Sequence, residues 1–168
     1  MAEAIALEYD VFKSQMKEIS DKCRDIGPSG FCSVDDEDFM EKVSGRSATI
    51  MVLEPVKYRT GDSKTEYIVE YMRCGFSIYK KAKPGAYDEN DAAVSACKRI
   101  ARKIISRIRK NSQGRYTGAG VAPFRHFKAE TITGENTKIE LDGRIGYYCE
   151  FELHYQISLA YDEDDWTA

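Results

Sequence analysis

Few residues of this chain could do acid–base or ligand chemistry. Two histidines occur, His126 and His154. His154 follows Glu150 and Glu152 at alternate positions, so in a strand all three share a face and an imidazole–carboxylate pair is within reach. A metal site would want further ligands at a diagnostic spacing, and none is present; a solvated or interface histidine is the simpler reading. The run Asp35-Asp36-Glu37-Asp38 lacks the alternate oxygens, central glycine and distal glutamate of a calcium loop, and reads as charge at a helix start. Gly114-Arg-Tyr-Thr-Gly-Ala-Gly120 has the composition of a phosphate loop. It leaves a helix and enters a strand, however, the reverse of a P-loop or dinucleotide loop, so it reads as a connector or a subunit-contact loop.

Five cysteines, Cys23, Cys32, Cys74, Cys97 and Cys149, are odd in number and widely spaced, with no Cys-x-x-Cys. Zinc and redox motifs are disfavoured, and the pattern fits reduced structural thiols of a cytoplasmic product. There is no Gly-x-Ser-x-Gly elbow and no cysteine–histidine signature. The expectation is a protein that is not an enzyme and holds no cofactor or metal.

The most unusual electrostatic feature is basic. Lys98, Arg99, Arg102, Lys103, Arg107, Arg109 and Lys110, followed by Arg115, are interrupted by no acidic residue. Such a face is often merely solvated. It could also track phosphates, with Tyr116 as a stacking ring. A third use is head-to-tail self-association, in which it meets an acidic segment of the next copy, at 35–38 or 162–165. The candidate interface is then Arg99, Arg102, Lys103, Arg107, Lys110, Arg115 and Tyr116 on one side, with Asp35, Asp36, Glu37 and Asp38 on the other.

Two long helices and a set of strands must position these groups. The chain has 168 residues, 25 Lys+Arg and 28 Asp+Glu, for a formal charge of −3. That length suits one domain spanning 1–168, with 162–168 as an acidic mobile tail. The overall charge argues against a protein that simply coats nucleic acid. No apolar run is long enough for a membrane span, and the first residues lack a secretion pattern.

Ile5, Tyr9, Phe12, Met16, Ile19, Cys23 and Ile26 make one helical stripe, stopped by Gly27-Pro28. Ser33 and Asp36 resemble a capping box for a short helix at about 34–43, with Phe39, Met40 and Val43 inward. Residues 47–58 and 66–80 read as a hairpin around a polar tip at 59–65, and Pro55 marks an edge or bulge. A second long helix runs from Asp88 to about Asn111, with Val94, Cys97, Ala101, Ile104, Ile105 and Ile108 as its stripe. After a loop at 111–123, three strands are expected at about 125–133, 137–142 and 145–161, turning at Thr133–Thr137 and Asp142-Gly143. The order is α-(α)-β-β-α-β-β-β. It predicts an α+β fold, a mainly antiparallel sheet with two long helices packed on one face.

In that order of elements the chain resembles the small tail-terminator or tail-completion (neck) proteins of tailed bacteriophages. The resemblance is carried by the helix at 5–26, the strand pair with Ile50-Met-Val-Leu53 and Tyr67-Ile-Val-Glu-Tyr71, the helix at Ala92–Ile108, and the strand Tyr148–Ile157. It implies a non-enzymatic virion protein, made in the bacterial host cytoplasm and assembled as a ring, commonly a hexamer, between head and tail. Its partners would be further copies of itself and neighbouring neck or tail proteins. It transfers no functional residue. A nucleic-acid-associated protein using 98–115, and a small ligand-binding or enzymatic domain around His154 and Glu152, are the rival readings.

Overall fold

The computed structural model describes residues 9–46, 48–62, 68–113, 124–137 and 141–157, without the side chains of Asp62, Gln156 and Ile157. Along the chain the elements are α1 (Tyr9–Lys22), β1 (Phe31–Ser33), α2 (Phe39–Ser44), β2 (Ile50–Leu53), β3 (Lys57–Asp62), β4 (Ile68–Lys81), α3 (Tyr87–Gln113), β5 (Phe127–Asn136) and β6 (Arg144–Ile157). β4 and β6 form the spine. They pair antiparallel over their whole length, from Ile68 opposite Ile157 to Lys81 opposite Arg144. Their alternation predetermines the two faces of the sheet. Met72, Cys74, Phe76 and Ile78 of β4 and Cys149, Phe151, Leu153 and Tyr155 of β6 point to one side and are buried there.

Onto that side pack both long helices. Phe12, Met16 and Ile19 of α1 and Cys97, Ile100, Ala101, Ile104 and Ile108 of α3 join those strand residues in a single core. The sheet order is β1-β2-β4-β6-β5, with β3 also against β4; β1 and β2 are parallel and the other pairings antiparallel. The α+β class, the mainly antiparallel sheet and the one-sided placement of the long helices match the expectation.

Details differ for local reasons. The expected strand at 47–58 is two strands, because Pro55 donates no ladder bond. β2 lies against residues 76–79 of β4 and β3 against 68–73. β1 was not expected, since three residues show no alternation. The short helix begins at Phe39 rather than 34, and no capping box forms. The Asp36 backbone N–H donates to the Ser33 carbonyl at 3.1 Å, closing a turn, and Asp38 at the N-cap makes no side-chain cap bond. Met40 faces outward, 56% exposed, whereas Phe39 and Val43 pack with Cys32, Ile50, Val52, Tyr79 and Leu141 on the opposite side of the sheet from the long helices.

The three-stranded meander is also corrected. Thr133–Asn136 stays in β5 instead of turning. Gly134 is tolerated in a strand there because the Tyr147 ring of β6 lies over it, where a Cβ would be 2.5 Å from the Tyr147 hydroxyl. Thr137 and Leu141–Gly143 are not strand, and 138–140 lie outside the described residues. Asp142 and Gly143 do make the expected turn, with φ of 49° and 64° and the Arg144 N–H donating to the Leu141 carbonyl at 3.0 Å. Of the expected tip at 59–65, Arg59–Asp62 are strand in β3, and of the expected loop at 111–123, Asn111–Gln113 are still helix in α3; residues 63–65 and 114–123, with Ile5, Arg115, Tyr116 and the acidic tail at 162–168, lie outside the described residues.

Candidate functional site

The long helices cover one side of the sheet and α2 only part of the other, and a trough lies on that other side. It encloses about 640 Å³ between the break that separates β2 from β3 and the end of β5. Glu54, Lys57, Arg73, Tyr79, Glu135 and Tyr148 are among its walls, and Gly75 and Ser77 lie among its lining residues. Gly75 is required by a close approach, since a Cβ would stand 2.6 Å from the Tyr148 hydroxyl. That hydroxyl donates to Glu150 Oε2 at 2.7 Å, while Arg73 forms an ion pair with Glu150 Oε1. Burial raises the Glu150 carboxyl, but the bonds from Arg73 and Tyr148 outweigh it and hold it below the usual carboxylate range. Burial pushes Glu54 the other way, upward, with Asp35 adding to the effect and Lys57 opposing it. Glu54 and Glu135 have no ion-pair partner among the described residues.

Further along β6 the imidazole–carboxylate pair is formed. His154 Nε2 lies 2.8 Å from Glu152 Oε2, the Tyr71 ring meets His154 edge-on at 4.6 Å, and the Arg59 guanidinium sits 4.4 Å over Tyr71. The pair does not line the trough, which is built around Tyr148 and Glu150 instead. His126 is elsewhere, edge-on to Tyr155, and burial lowers its pKa. A wide irregularity in β5 between Lys128 and Thr133 supports this stretch: the Thr131 hydroxyl donates to the Lys128 carbonyl and accepts the Glu152 N–H at 2.8 Å. Burial makes Cys74, Cys97 and Cys149 weak nucleophiles. Burial pushes Cys97 and Cys149 up to about 11 and Cys74 well above its ordinary value.

On the helical side, α3 carries the basic run as expected. Lys98, Arg99, Arg102, Lys103, Arg107, Arg109 and Lys110 are all exposed. Lys103 is tied to Asp25 at 2.6 Å and Lys98 lies over the Tyr147 ring at 5.6 Å. Arg99, Arg102, Arg107, Arg109 and Lys110 have no carboxylate partner among the described residues. Lys103 and Arg107 line a groove of about 320 Å³ between α3 and the end of α1, together with Ile19, Lys22, Cys23 and Arg24.

Three of the four acids at 35–38 have partners within the chain, while Glu37 is exposed with no ion-pair partner among the described residues. Asp36 accepts from Lys13 at 2.7 Å and from Lys42 at 3.1 Å, and Asp38 pairs with Lys42 at 2.8 Å. Asp35 accepts the Tyr9 hydroxyl, whose pKa burial and this carboxylate push up to about 12. Lys13 is 23 residues away in sequence, so this neutralisation was invisible to local reading. Asp36→Asn is expected to lower stability by about 1 kcal/mol, because two partly exposed ion pairs are lost. The Lys13 and Lys42 bonds hold this carboxyl below its ordinary value despite burial. Its contribution is therefore complete above the unfolded carboxylate pKa of about 4 and is lost as pH falls through the depressed folded value. Thermal melts of the two proteins across acidic pH should converge at the low end.

Among the described residues no three His, Cys, Asp or Glu side chains cluster as a metal site would require, and no helix is long and apolar enough to cross a membrane. No protein-family model matches the chain, and no curated protein matches it. Arg73, Glu54 and Tyr148 were missed as site residues. The alternation of β6 placed Glu150 on the wet face, and extending it by one step to Tyr148 was the available signal.

Proposed function

We propose that this protein is a non-enzymatic structural subunit of the tail-terminator or tail-completion type, closing as a ring, taken as six copies, at the neck or tail end of a tailed phage. Its location would be the virion, after synthesis in the bacterial host cytoplasm. One observation supports the reading: the molecule has two unlike sides, one covered by the long helices and bearing unpaired cations, the other covered only in part by α2 and bearing a trough. A ring needs a heterologous interface, two different surfaces on each copy, and surfaces that face away from one another let copies follow head to tail.

We place the acidic half of that interface at the trough. Asp35, Asp36 and Asp38 have partners within the chain, which leaves Glu37 of that run without an ion-pair partner among the described residues. Glu54 and Glu135 at the trough are better placed to receive Arg99 and Arg102 from the next copy. Lys103 is a poor choice for reversal, because it also holds Asp25.

The double change Arg99→Glu, Arg102→Glu alters two exposed positions and should leave the fold intact while dissociating the ring to a monomer. Native mass by light scattering reads the result. A variant that keeps the mass of the parent assembly contradicts this interface. If the parent is a monomer whose binding to duplex DNA falls steeply with salt and with this substitution, α3 is a phosphate-tracking surface and the nucleic-acid reading takes over.

A further inference from the structure

The groove between α1 and α3 is cationic at its rim and apolar beneath. Its walls hold four cations, Lys22, Arg24, Lys103 and Arg107, and two carboxylates, Glu18 and Asp25, with Ile19, Cys23 and Ile104 between them. Glu18 holds Lys22 and Asp25 holds Lys103, which leaves Arg24 and Arg107 without an ion-pair partner among the described residues. A ligand for such a groove should combine carboxylates with an aromatic ring, because Arg–aromatic contacts add to charge pairing.

The chain contains one segment of that composition. Asp162-Glu-Asp-Asp165 is followed directly by Trp166, the single tryptophan of the sequence. We propose that residues 162–166 dock into the α1–α3 groove of their own chain, with the carboxylates on Arg24 and Arg107 and the indole between the guanidinium groups over Cys23.

The topology brings the partners within reach. Five residues, Ala82–Ala86, join β4 to α3, so the helix doubles back along the strand on which it packs. The 27 residues of α3 span about 40 Å and the 14 of β4 about 46 Å. α3 therefore ends beside the Ile68 end of β4, which is where Ile157 pairs and β6 ends. From Ile157 to Asp162 is up to about 17 Å of extended chain, and the groove occupies the last three turns of α3. Tethering at that distance gives an effective concentration of order millimolar, so modest contacts suffice. Charge supports the pairing as well. The segment carries four of the chain's acids, whereas α3 bears seven cations against three acids, Asp88, Glu89 and Asp91, in its first turns.

The lone tryptophan makes the test direct. In the full-length protein, selectively excited Trp166 emission should be blue-shifted and poorly quenched by acrylamide, unchanged on dilution into the monomeric range. Arg24→Glu with Arg107→Glu should shift the emission to that of solvated indole and raise quenching several-fold, with the circular dichroism of the fold retained. High salt should move the parent protein in the same direction. Solvated emission in the parent overturns the proposal. So does protection that survives the double reversal, or protection lost on dilution, which would assign the groove to the segment of a second copy. The reading does not depend on ring formation, since a monomer can satisfy it and a ring can fail it.

Discussion

Arg144→Met is expected to destabilise the protein by about 3 kcal/mol, roughly 6–12 °C in Tm for a chain of this size. Arg144 is fully buried at the start of β6. Its guanidinium donates to the Ala48 carbonyl at 2.9 Å, to the Arg46 carbonyl, and to Val43 in the last turn of α2 at 3.4 Å. A cation at the C-terminal end of a helix also meets the negative end of its dipole. Burial pulls its pKa below the usual guanidinium value, but such a group stays protonated near neutral pH. Replacing a buried ion pair by apolar residues is often harmless, because both charges leave together. Here the partners are main-chain carbonyls that no substitution removes, so methionine strands them. Arg144→Lys, with donors but no planar fork, should recover only part of the loss. Denaturant melts of the three proteins check the order; equal stability of the parent and the methionine variant would show that the carbonyls find other donors.

Gly146→Ala should be comparably damaging, about 3 kcal/mol, for a steric rather than a polar reason. A Cβ at Gly146 would lie 2.0 Å from the Ile78 carbonyl oxygen and 2.9 Å from its carbon, so the clash is with main chain and no rotamer change relieves it. β4 and β6 would have to part beside the Tyr79–Gly146 pair. Gly143→Ala is the control. Gly143 has φ +64° and nothing within 4 Å of an added Cβ, so only the left-handed backbone is strained, at a cost of about 1 kcal/mol. Comparable losses at 143 and 146 would mean that the β4–β6 approach is looser than described.

What could be read from sequence was what repeats over short distances. The period of two in β6 placed Glu150, Glu152 and His154 on one face, and the His154–Glu152 pair follows from it. Of the helical stripes, Phe12, Met16, Ile19, Ile26, Cys97, Ala101, Ile104 and Ile108 are buried and Tyr9, Cys23, Val94 and Ile105 half-buried, while buried Ser20 and Ile100 were missed; Pro55 did interrupt its strand. What could not be read was the outcome of distant encounters. Arg144 looks like any turn-flanking arginine until Val43, Arg46 and Ala48, some hundred positions earlier, are folded over it. The acids at 35–38 looked like a free patch because Lys13 reaches Asp36 only through the packing of α1. The trough depends on which side of the sheet both helices choose, and on where β2 gives way to β3. Its members Glu54, Arg73, Glu135 and Tyr148 come from four strand regions with no shared motif.

The native mass of the protein alone, by light scattering over a range of concentration and salt, tests the assembly reading most directly. Six copies of the 19.1 kDa chain give about 115 kDa. One discrete assembly near that value is expected, loosening as salt screens contacts between Arg99 and Arg102 and the acids of the trough. A monomer at every concentration and salt would contradict it.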